Sequence, residues 1–333
     1  YCYMRKENYA AAREFFEPLA RNAGMSSDEL TQDAYLRTAD CYYMERNYTK
    51  AKSMYDNVIR YSWPAEDYAT FQSSMIAGIK NPKEKITLLN TMNRKFPSST
   101  LVTDANMEIA NTYMADEKFN EAIPFLNNVI KGTGNASLKP EAYLKLGTAY
   151  YNLHNNSAAL QQYKTLISQY PASQEAADAL EDVRVIYIQD GKTDEYTAFM
   201  RQAGKPISVS AEDSLTYTAA ETQLSNGNTS AALTSLGNYL NKFPNGAYAI
   251  DANFYRAEIY SDKKDWKNAL MGYEPVAAQA PNKYAERAIL AAARIQFFEM
   301  KNYAQAETYY AQLAQEATGQ EHRLEAMRGL LRS

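Results

Sequence analysis

The chain repeats one pattern of residues nine times along its 333 positions. A small or polar residue marks each copy, and successive marks lie 34 to 39 residues apart. A copy of this length is too short to bury its own apolar face, and such a period is typical of stacked helical repeats. We therefore expect an all-α fold in which helix pairs stack in chain order. The marking positions are 12, 51, 85, 122, 159, 195, 232, 269 and 306.

The clearest copy, residues 140–171, predicts two helices joined by a short turn. Apolar and aromatic residues recur at helical spacing on both sides of the turn, and Pro171 ends the second helix. Gly147 and Ala159 are small enough to let the two helices approach closely, and Tyr163 fills the space beside that contact. This copy predicts an antiparallel helix pair.

These residues resemble the tetratricopeptide repeat. In that motif an aromatic residue, Leu-Gly, Tyr, Ala, a second aromatic residue and a closing Pro follow one another in the order seen at residues 143–171. The resemblance implies a right-handed α-solenoid, a superhelix of tandem helix–turn–helix units. It also implies a non-enzymatic scaffold that binds proteins or extended peptides in its concave groove.

A second motif recurs at about double the period. Phe96-Pro97-Ser98-Ser99 leads to Asp104-Ala105, and similar links stand at 170–173 and 243–246. They resemble the links of large multi-repeat tetratricopeptide proteins of the Gram-negative periplasm and outer membrane. Examples are the coordinator of the Tol–Pal system and the lipoprotein of the β-barrel assembly machine. The resemblance implies a periplasmic or outer-membrane-associated protein within an envelope assembly, and a cytoplasmic location stays open.

The repeat marks predict an organisation in five parts. We expect two runs of complete units separated by an extended connector that contains Gly204-Lys205-Pro206, with a capping box at Ser210 and Asp213. Incomplete units are expected at both ends. The parts are a partial first unit at 1–31, repeat units at 32–200, the connector at 201–211, repeat units at 212–318, and a truncated first helix at 319–333.

Composition and motifs argue against catalysis, cofactors and nucleic acid. A net charge of −4 gives no basic surface for DNA or RNA, and no apolar run approaches the roughly 18 residues of a membrane span. His154 and His322 are the only histidines, and neither has metal-ligand spacing to another ligand. We predict no enzyme, no cofactor and no metal site. Cys2 and Cys41, 39 residues apart, are expected to be buried free thiols.

The first helices are predicted to line a partner-binding groove. Aromatic side chains bury a large area with few rotatable bonds, so they are frequent anchors at interfaces. Acidic side chains in the C-terminal half, including Asp251 and Asp262, would favour a basic partner. The groove candidates are Tyr43, Phe71, Met114, Tyr151, Arg184, Tyr187, Tyr217, Glu221, Phe254, Tyr255, Glu258 and Phe298.

Two alternative functions stay open at this point. Exposed tyrosines can stack on sugar rings, so the chain could be a glycan-binding envelope module, with Tyr187 beside Arg184 as the candidate contact. The same fold would also serve as a cytoplasmic assembly factor.

Overall fold

The computed structural model describes all 333 residues and contains 19 α-helices, a 3-10 turn at Ala136–Leu138 and a π-helical segment at Ile295–Glu299. It contains no β-strand. The chain divides into two compact units, residues 1–180 and residues 181–333.

The helices alternate between first and second members of a pair. The first helices are α1 (Cys2–Arg5), α3 (Glu29–Met44), α5 (Glu66–Gly78), α7 (Val102–Ala115), α9 (Lys139–Asn152), α11 (Gln174–Gln189), α13 (Val209–Ser225), α15 (Ala249–Asp262), α17 (Ala285–Arg294) and α19 (Gln320–Arg332). The second helices are α2 (Tyr9–Ala20), α4 (Tyr48–Arg60), α6 (Pro82–Lys95), α8 (Phe119–Lys131), α10 (Asn156–Gln169), α12 (Thr193–Gln202), α14 (Thr229–Lys242), α16 (Trp266–Ala278) and α18 (Tyr303–Glu316).

Helices pack against their neighbours in sequence. Within residues 1–180, each helix from α1 to α10 contacts the next, and within residues 181–333 the same holds from α12 to α19. A smaller contact joins α17 and α19. This nearest-neighbour packing confirms the predicted α-solenoid of stacked helix pairs.

The repeat marks fall in the second helices, where they bring each pair together. All seven marking alanines are buried. In the α9–α10 pair, a Cβ added to Gly147 would lie 2.3 Å from the ring of Tyr163, so the tyrosine occupies the space that glycine leaves free. The close approach predicted between these helices is therefore present.

Two copies depart from the mark in different ways. In the third copy, the aliphatic carbons of Lys85 lie against Gly78, and its ammonium group forms an ion pair with Glu108. In the sixth copy, Glu195 is exposed, and Tyr196 is buried one position later. The register of α12 is thus shifted by one residue, because a carboxylate cannot be buried without a partner.

The predicted connector at 201–211 is shorter in the structure. Helix α12 extends to Gln202 and α13 begins at Val209, so only residues 203–208 are non-helical. The side chain of Ser208 accepts a hydrogen bond from the backbone N–H of Ala211, so Ser208 and not Ser210 caps α13. The two compact units do not divide at this connector.

The two cysteines differ in burial. Both are free thiols, with Cys41 buried and Cys2 exposed. The prediction that Cys2 is buried is wrong, because none of the four residues of α1 is buried. Burial, together with the nearby Asp40 carboxylate, raises the pKa of the Cys41 thiol to about 11.

Candidate functional site

The groove candidates lie on the first helices, except for Phe298 in the π-helical segment that follows α17. Tyr187, Tyr217 and Phe254 do not face solvent, since they are only 3%, 5% and 1% exposed. The prediction that these three side chains are accessible to a partner in the groove is therefore wrong.

Repeat position explains two of the three buried rings. Tyr217 and Phe254 stand 15 residues before a repeat mark, the position that Leu36 and Met107 also fill in the core. The ring of Tyr217 stacks on Tyr248 with centroids 4.5 Å apart. The ring of Phe254 stacks in the same way on Tyr284 at 4.1 Å.

The third ring, Tyr187, is buried against α12. Its centroid lies 6.1 Å from that of Tyr196, the residue brought inward by the register shift of the sixth copy. Tyr187 is therefore unavailable for stacking on a sugar ring. Its predicted companion Arg184 donates hydrogen bonds to Glu181 on the same helix, which raises the pKa of the guanidinium.

A row of partly exposed side chains remains on the first helices. Tyr43, Met114 and Tyr151 each stand eight residues before a repeat mark in residues 1–180, and all three are half-buried. Phe298 occupies the same position in the last copy and is 53% exposed. Phe71 and Tyr255 are half-buried on α5 and α15. Partner binding by these residues stays a prediction.

Two of the four residues of the predicted acidic patch are paired within the protein. Glu258 accepts a hydrogen bond from Tyr273 at 2.5 Å and forms an ion pair with Arg287 at 3.0 Å. Asp251 accepts from Tyr284 at 3.1 Å and pairs with Lys283. The patch therefore offers less free negative charge than predicted. Its exposed members are Glu221 and Asp262.

Buried tyrosines join the two helices of several pairs, a feature that we did not predict. Tyr55 donates to Asp40 at 2.7 Å, as Tyr273 does to Glu258, and each acceptor lies 15 residues before its tyrosine. Burial, with the adjacent Asp40 charge, raises the pKa of Tyr55. In the α7–α8 pair Leu126 replaces the tyrosine, and the Oδ1 atom of the equivalent Asn111 is buried without a hydrogen-bond partner.

Acidic residues near the start of first helices accept hydrogen bonds from the following copy. Asp213 accepts from the backbone N–H of Ala247 at 2.8 Å, and Glu286 accepts from the backbone N–H of Thr318 at 2.9 Å. Hydrogen bonds from His322 and Thr318 lower the pKa of Glu286 to about 2. The recurring Asp-Ala motif does not predict these two joints, since Asp213 is followed by Ser214 and Glu286 by Arg287. Comparable joints in residues 1–180 are Ser99 to Asp67 and Asn135 to Asp104.

Three clefts lie between consecutive second helices, a surface that the repeat pattern alone does not predict. One of about 500 Å³ separates α4 from α6, and one of about 380 Å³ separates α12 from α14. The third has a volume of about 540 Å³ and lies between α6 and α8, with α7 as its floor. We call it the asparagine cleft. It is lined by Asn90, Asn93, Arg94, Val102, Asn106, Phe125 and Asn128.

The structure offers no arrangement of metal ligands. No group of three or more His, Cys, Asp or Glu side chains could hold an ion. His154 is exposed in the turn after α9, with a φ of 57°, whereas His322 lies 2.6 Å from the Glu286 carboxylate. No helix combines the length and the apolar character needed to cross a membrane.

Comparison with known proteins supports the repeat at two places. The tetratricopeptide repeat family model matches residues 33–62 and residues 141–173, which correspond to the α3–α4 and α9–α10 pairs. No curated protein sequence matches the chain. Together with the fold, these matches support a chain built from tetratricopeptide-like helix pairs.

Solved structures share the fold at low sequence identity. The structure of Naa15/Naa10 bound to HypK-THB aligns with a TM-score of 0.53 and 12% identity, over 90% of this chain and 44% of that one. The crystal structure of MamA aligns with a TM-score of 0.40 and 19% identity, over 50% of this chain and 91% of that one. A tetratricopeptide repeat protein from Parabacteroides merdae ATCC 43184 aligns with a TM-score of 0.33 and 16% identity, over 83% and 98%. The first of these likenesses supports the solenoid fold and nothing further.

Proposed function

We propose that this chain is a non-enzymatic scaffold of the bacterial cell envelope that binds partner proteins or extended peptides along its first helices. The observation that carries the proposal is the row formed by Tyr43, Met114 and Tyr151. These three side chains stand at one repeat position and are each half-buried, so part of every side chain is available to a partner. Aromatic and methionine side chains are well suited to such contacts.

The envelope location rests on the three aromatic-Pro links and their likeness to periplasmic tetratricopeptide proteins. It predicts that the protein expressed from its own gene fractionates with the periplasm or the outer membrane. Recovery in the cytoplasmic fraction would favour the alternative of a cytoplasmic assembly factor. The alternative of a glycan contact at Tyr187 has no support, because that ring is buried.

Site-specific photocrosslinking tests partner binding. A photoreactive amino acid placed at Tyr43, Met114 or Tyr151 in turn should capture the same partner in cells. The matched control position is Thr91, which is exposed on the second helix α6. The captured partner is then purified and titrated against the protein and its Tyr151→Ala variant.

We expect Tyr151→Ala to weaken partner binding at least about tenfold, as for an aromatic anchor at an interface. Equal capture from Thr91, or unchanged affinity of Tyr151→Ala, would contradict the proposed surface.

A further inference from the structure

The asparagine cleft contains a chain of carboxamides whose orientation is fixed by the backbone. The carbonyl oxygen of Val102 can only accept a hydrogen bond, so the Nδ2 atom of Asn106 faces it at 2.7 Å. The Oδ1 atom of Asn106 then accepts from the Nδ2 atom of Asn93 at 3.3 Å. This order leaves the Oδ1 atom of Asn93 at the end of the chain.

That terminal oxygen has no partner in the protein. The Oδ1 atom of Asn93 is buried and accepts no hydrogen bond. Exchanging the two atoms of the Asn93 amide would place an oxygen against the Asn106 oxygen, so the orientation cannot be reversed to satisfy it. A buried acceptor without a partner is costly, and a hydrogen bond from a bound molecule would offset that cost.

The rest of the cleft is lined by two further asparagines, one arginine and two apolar residues. Asn90 and Asn128 also line the cleft, and their side-chain amides carry further hydrogen-bond donors and acceptors. No carboxylate lines the cleft, and its one cation, Arg94, donates to the hydroxyl group of Thr91 at 3.4 Å. A lining of this kind is complementary to a neutral ligand that both donates and accepts hydrogen bonds.

We infer that the asparagine cleft is a binding site for a neutral oligosaccharide, with a ligand hydroxyl donating to the Oδ1 atom of Asn93. A sugar ring carries several hydroxyl groups in a small area, and the carboxamides of Asn90 and Asn128 with the Oδ1 atom of Asn93 supply matching partners. The ring of Phe125 adds an apolar surface for the C–H face of the sugar. The cleft volume of about 540 Å³ is in the usual range for small-molecule sites.

An extended peptide fits this cleft less well. Peptide-binding grooves gain much of their affinity from apolar side chains seated in pockets. Here the only apolar lining residues are Val102 and Phe125. The cleft also lies between second helices, away from the row on the first helices. The proposed oligosaccharide site and the proposed partner surface therefore involve different residues, and failure of one proposal would leave the other unaffected.

Side-chain amide signals provide a direct test in the full chain. Protein carrying isotope-labelled asparagine is titrated separately with maltotriose, cellotriose and N,N′-diacetylchitobiose, which cover α-linked, β-linked and N-acetylated rings. We expect at least one of them to shift the Asn93 amide signals with saturation and a Kd of about 1 mM. Signals are assigned from single substitutions.

Two substitutions in the cleft and one outside it locate the binding. Asn93→Ala should weaken affinity about tenfold by removing the buried acceptor. Asn90→Ala tests the site without touching the amide chain and should also weaken binding. The matched control is Asn127→Ala on α8, whose side chain donates to the backbone carbonyl of Ile123 and does not line the cleft. It should leave the Kd unchanged.

Three results would overturn the inference. The first is that none of the three oligosaccharides gives saturable shifts up to roughly 20 mM. The second is that the neutral peptide acetyl-Gly-Gly-Gly-amide saturates the Asn93 signals while no sugar does. The third is that sugar binding persists unchanged in both Asn93→Ala and Asn90→Ala proteins whose circular dichroism matches that of the wild type.

Discussion

The α3–α4 and α7–α8 pairs place a polar side chain at the same repeat position and surround it differently. In α3–α4, the Asp40 carboxylate accepts hydrogen bonds from Tyr55 and Tyr68 and forms an ion pair with Arg37 at 2.8 Å. In α7–α8, Asn111 stands at that position opposite the apolar Leu126 of the repeat pattern, and its Oδ1 atom has no partner. In these two pairs the polar group of the first helix is satisfied where a tyrosine stands four places after the mark and is not satisfied where a leucine does.

The largest expected effect comes from removing the satisfied carboxylate. Asp40→Ala should destabilise residues 1–180 by about 3 kcal/mol, because it leaves the hydroxyls of Tyr55 and Tyr68 without their acceptor and removes one of the two carboxylates paired with Arg37. The measurement is the midpoint of urea unfolding. Asp116→Ala, which removes a carboxylate paired with Lys118 in an exposed turn, is the control and should leave the midpoint unchanged. Equal midpoints for the two variants would show that the Asp40 carboxylate does not stabilise the α3–α4 pair.

A glycine substitution tests the space that the tyrosine pairs require. Gly147→Ala should destabilise by about 1 to 2 kcal/mol, because its Cβ would lie 2.3 Å from the buried Tyr163 ring. Gly237 lies inside α14 with nothing within 4 Å of an added Cβ. Gly237→Ala should therefore stabilise by up to about 1 kcal/mol through helix propensity. If thermal melts rank the two variants in the opposite order, the Tyr163 ring does not need the space that Gly147 leaves free.

Alkaline unfolding tests the contribution of the buried Tyr55 hydroxyl to the α3–α4 pair. Burial and the Asp40 charge raise the pKa of Tyr55 above that of an unfolded tyrosine, which ionises near pH 10. The stability gained from a neutral Tyr55 is therefore complete below about pH 10 and is lost as the pH rises above it, by about 1.4 kcal/mol per pH unit. Tyr55→Phe should flatten this dependence in urea unfolding, whereas Tyr303→Phe, at an exposed tyrosine, should not. Identical slopes for wild type and Tyr55→Phe would refute the effect.

The smallest expected effect is a gain of stability. Asn111→Leu should stabilise by about 1 kcal/mol, because it removes a buried carbonyl oxygen that has no partner. Asn127→Leu is the matched control, since its amide already donates to Ile123, and no gain is expected there. A loss of stability in Asn111→Leu, measured by urea unfolding, would show that Asn111 is satisfied in solution.

The sequence was sufficient for the helix pairs and their order. The period of the repeat and the small residue in each copy determine where the two helices of a pair can approach each other. The close contacts at Ala51 and Ala159 could therefore be located from the sequence alone. Prolines also placed the ends of second helices, as at Pro97, two residues after α6. The register of α12 could not be predicted in the same way, since Glu195 stands where the repeat expects a small residue.

The candidate surface was predicted less well than the fold. Whether an aromatic residue of a first helix faces the core or solvent depends on its distance in sequence from the repeat mark. Phe254, 15 residues before its mark, is buried, whereas Phe298, eight residues before its mark, is exposed. The asparagine cleft arises from the spacing of α6 and α8, which a single copy of the repeat does not reveal. The asparagines themselves were visible in the sequence, but nothing there distinguished Asn93 from a solvated amide.

The carboxylate joints between successive copies have a consequence for behaviour in acid. The joint at Glu286 depends on an ionised carboxylate that accepts hydrogen bonds from Thr318 and His322. Because the pKa of Glu286 is lowered from 4.5 to about 2, its contribution is complete above pH 4.5 and disappears only as the pH falls through about 2. The contact between α17 and the segment before α19 is therefore expected to persist in strongly acidic solution.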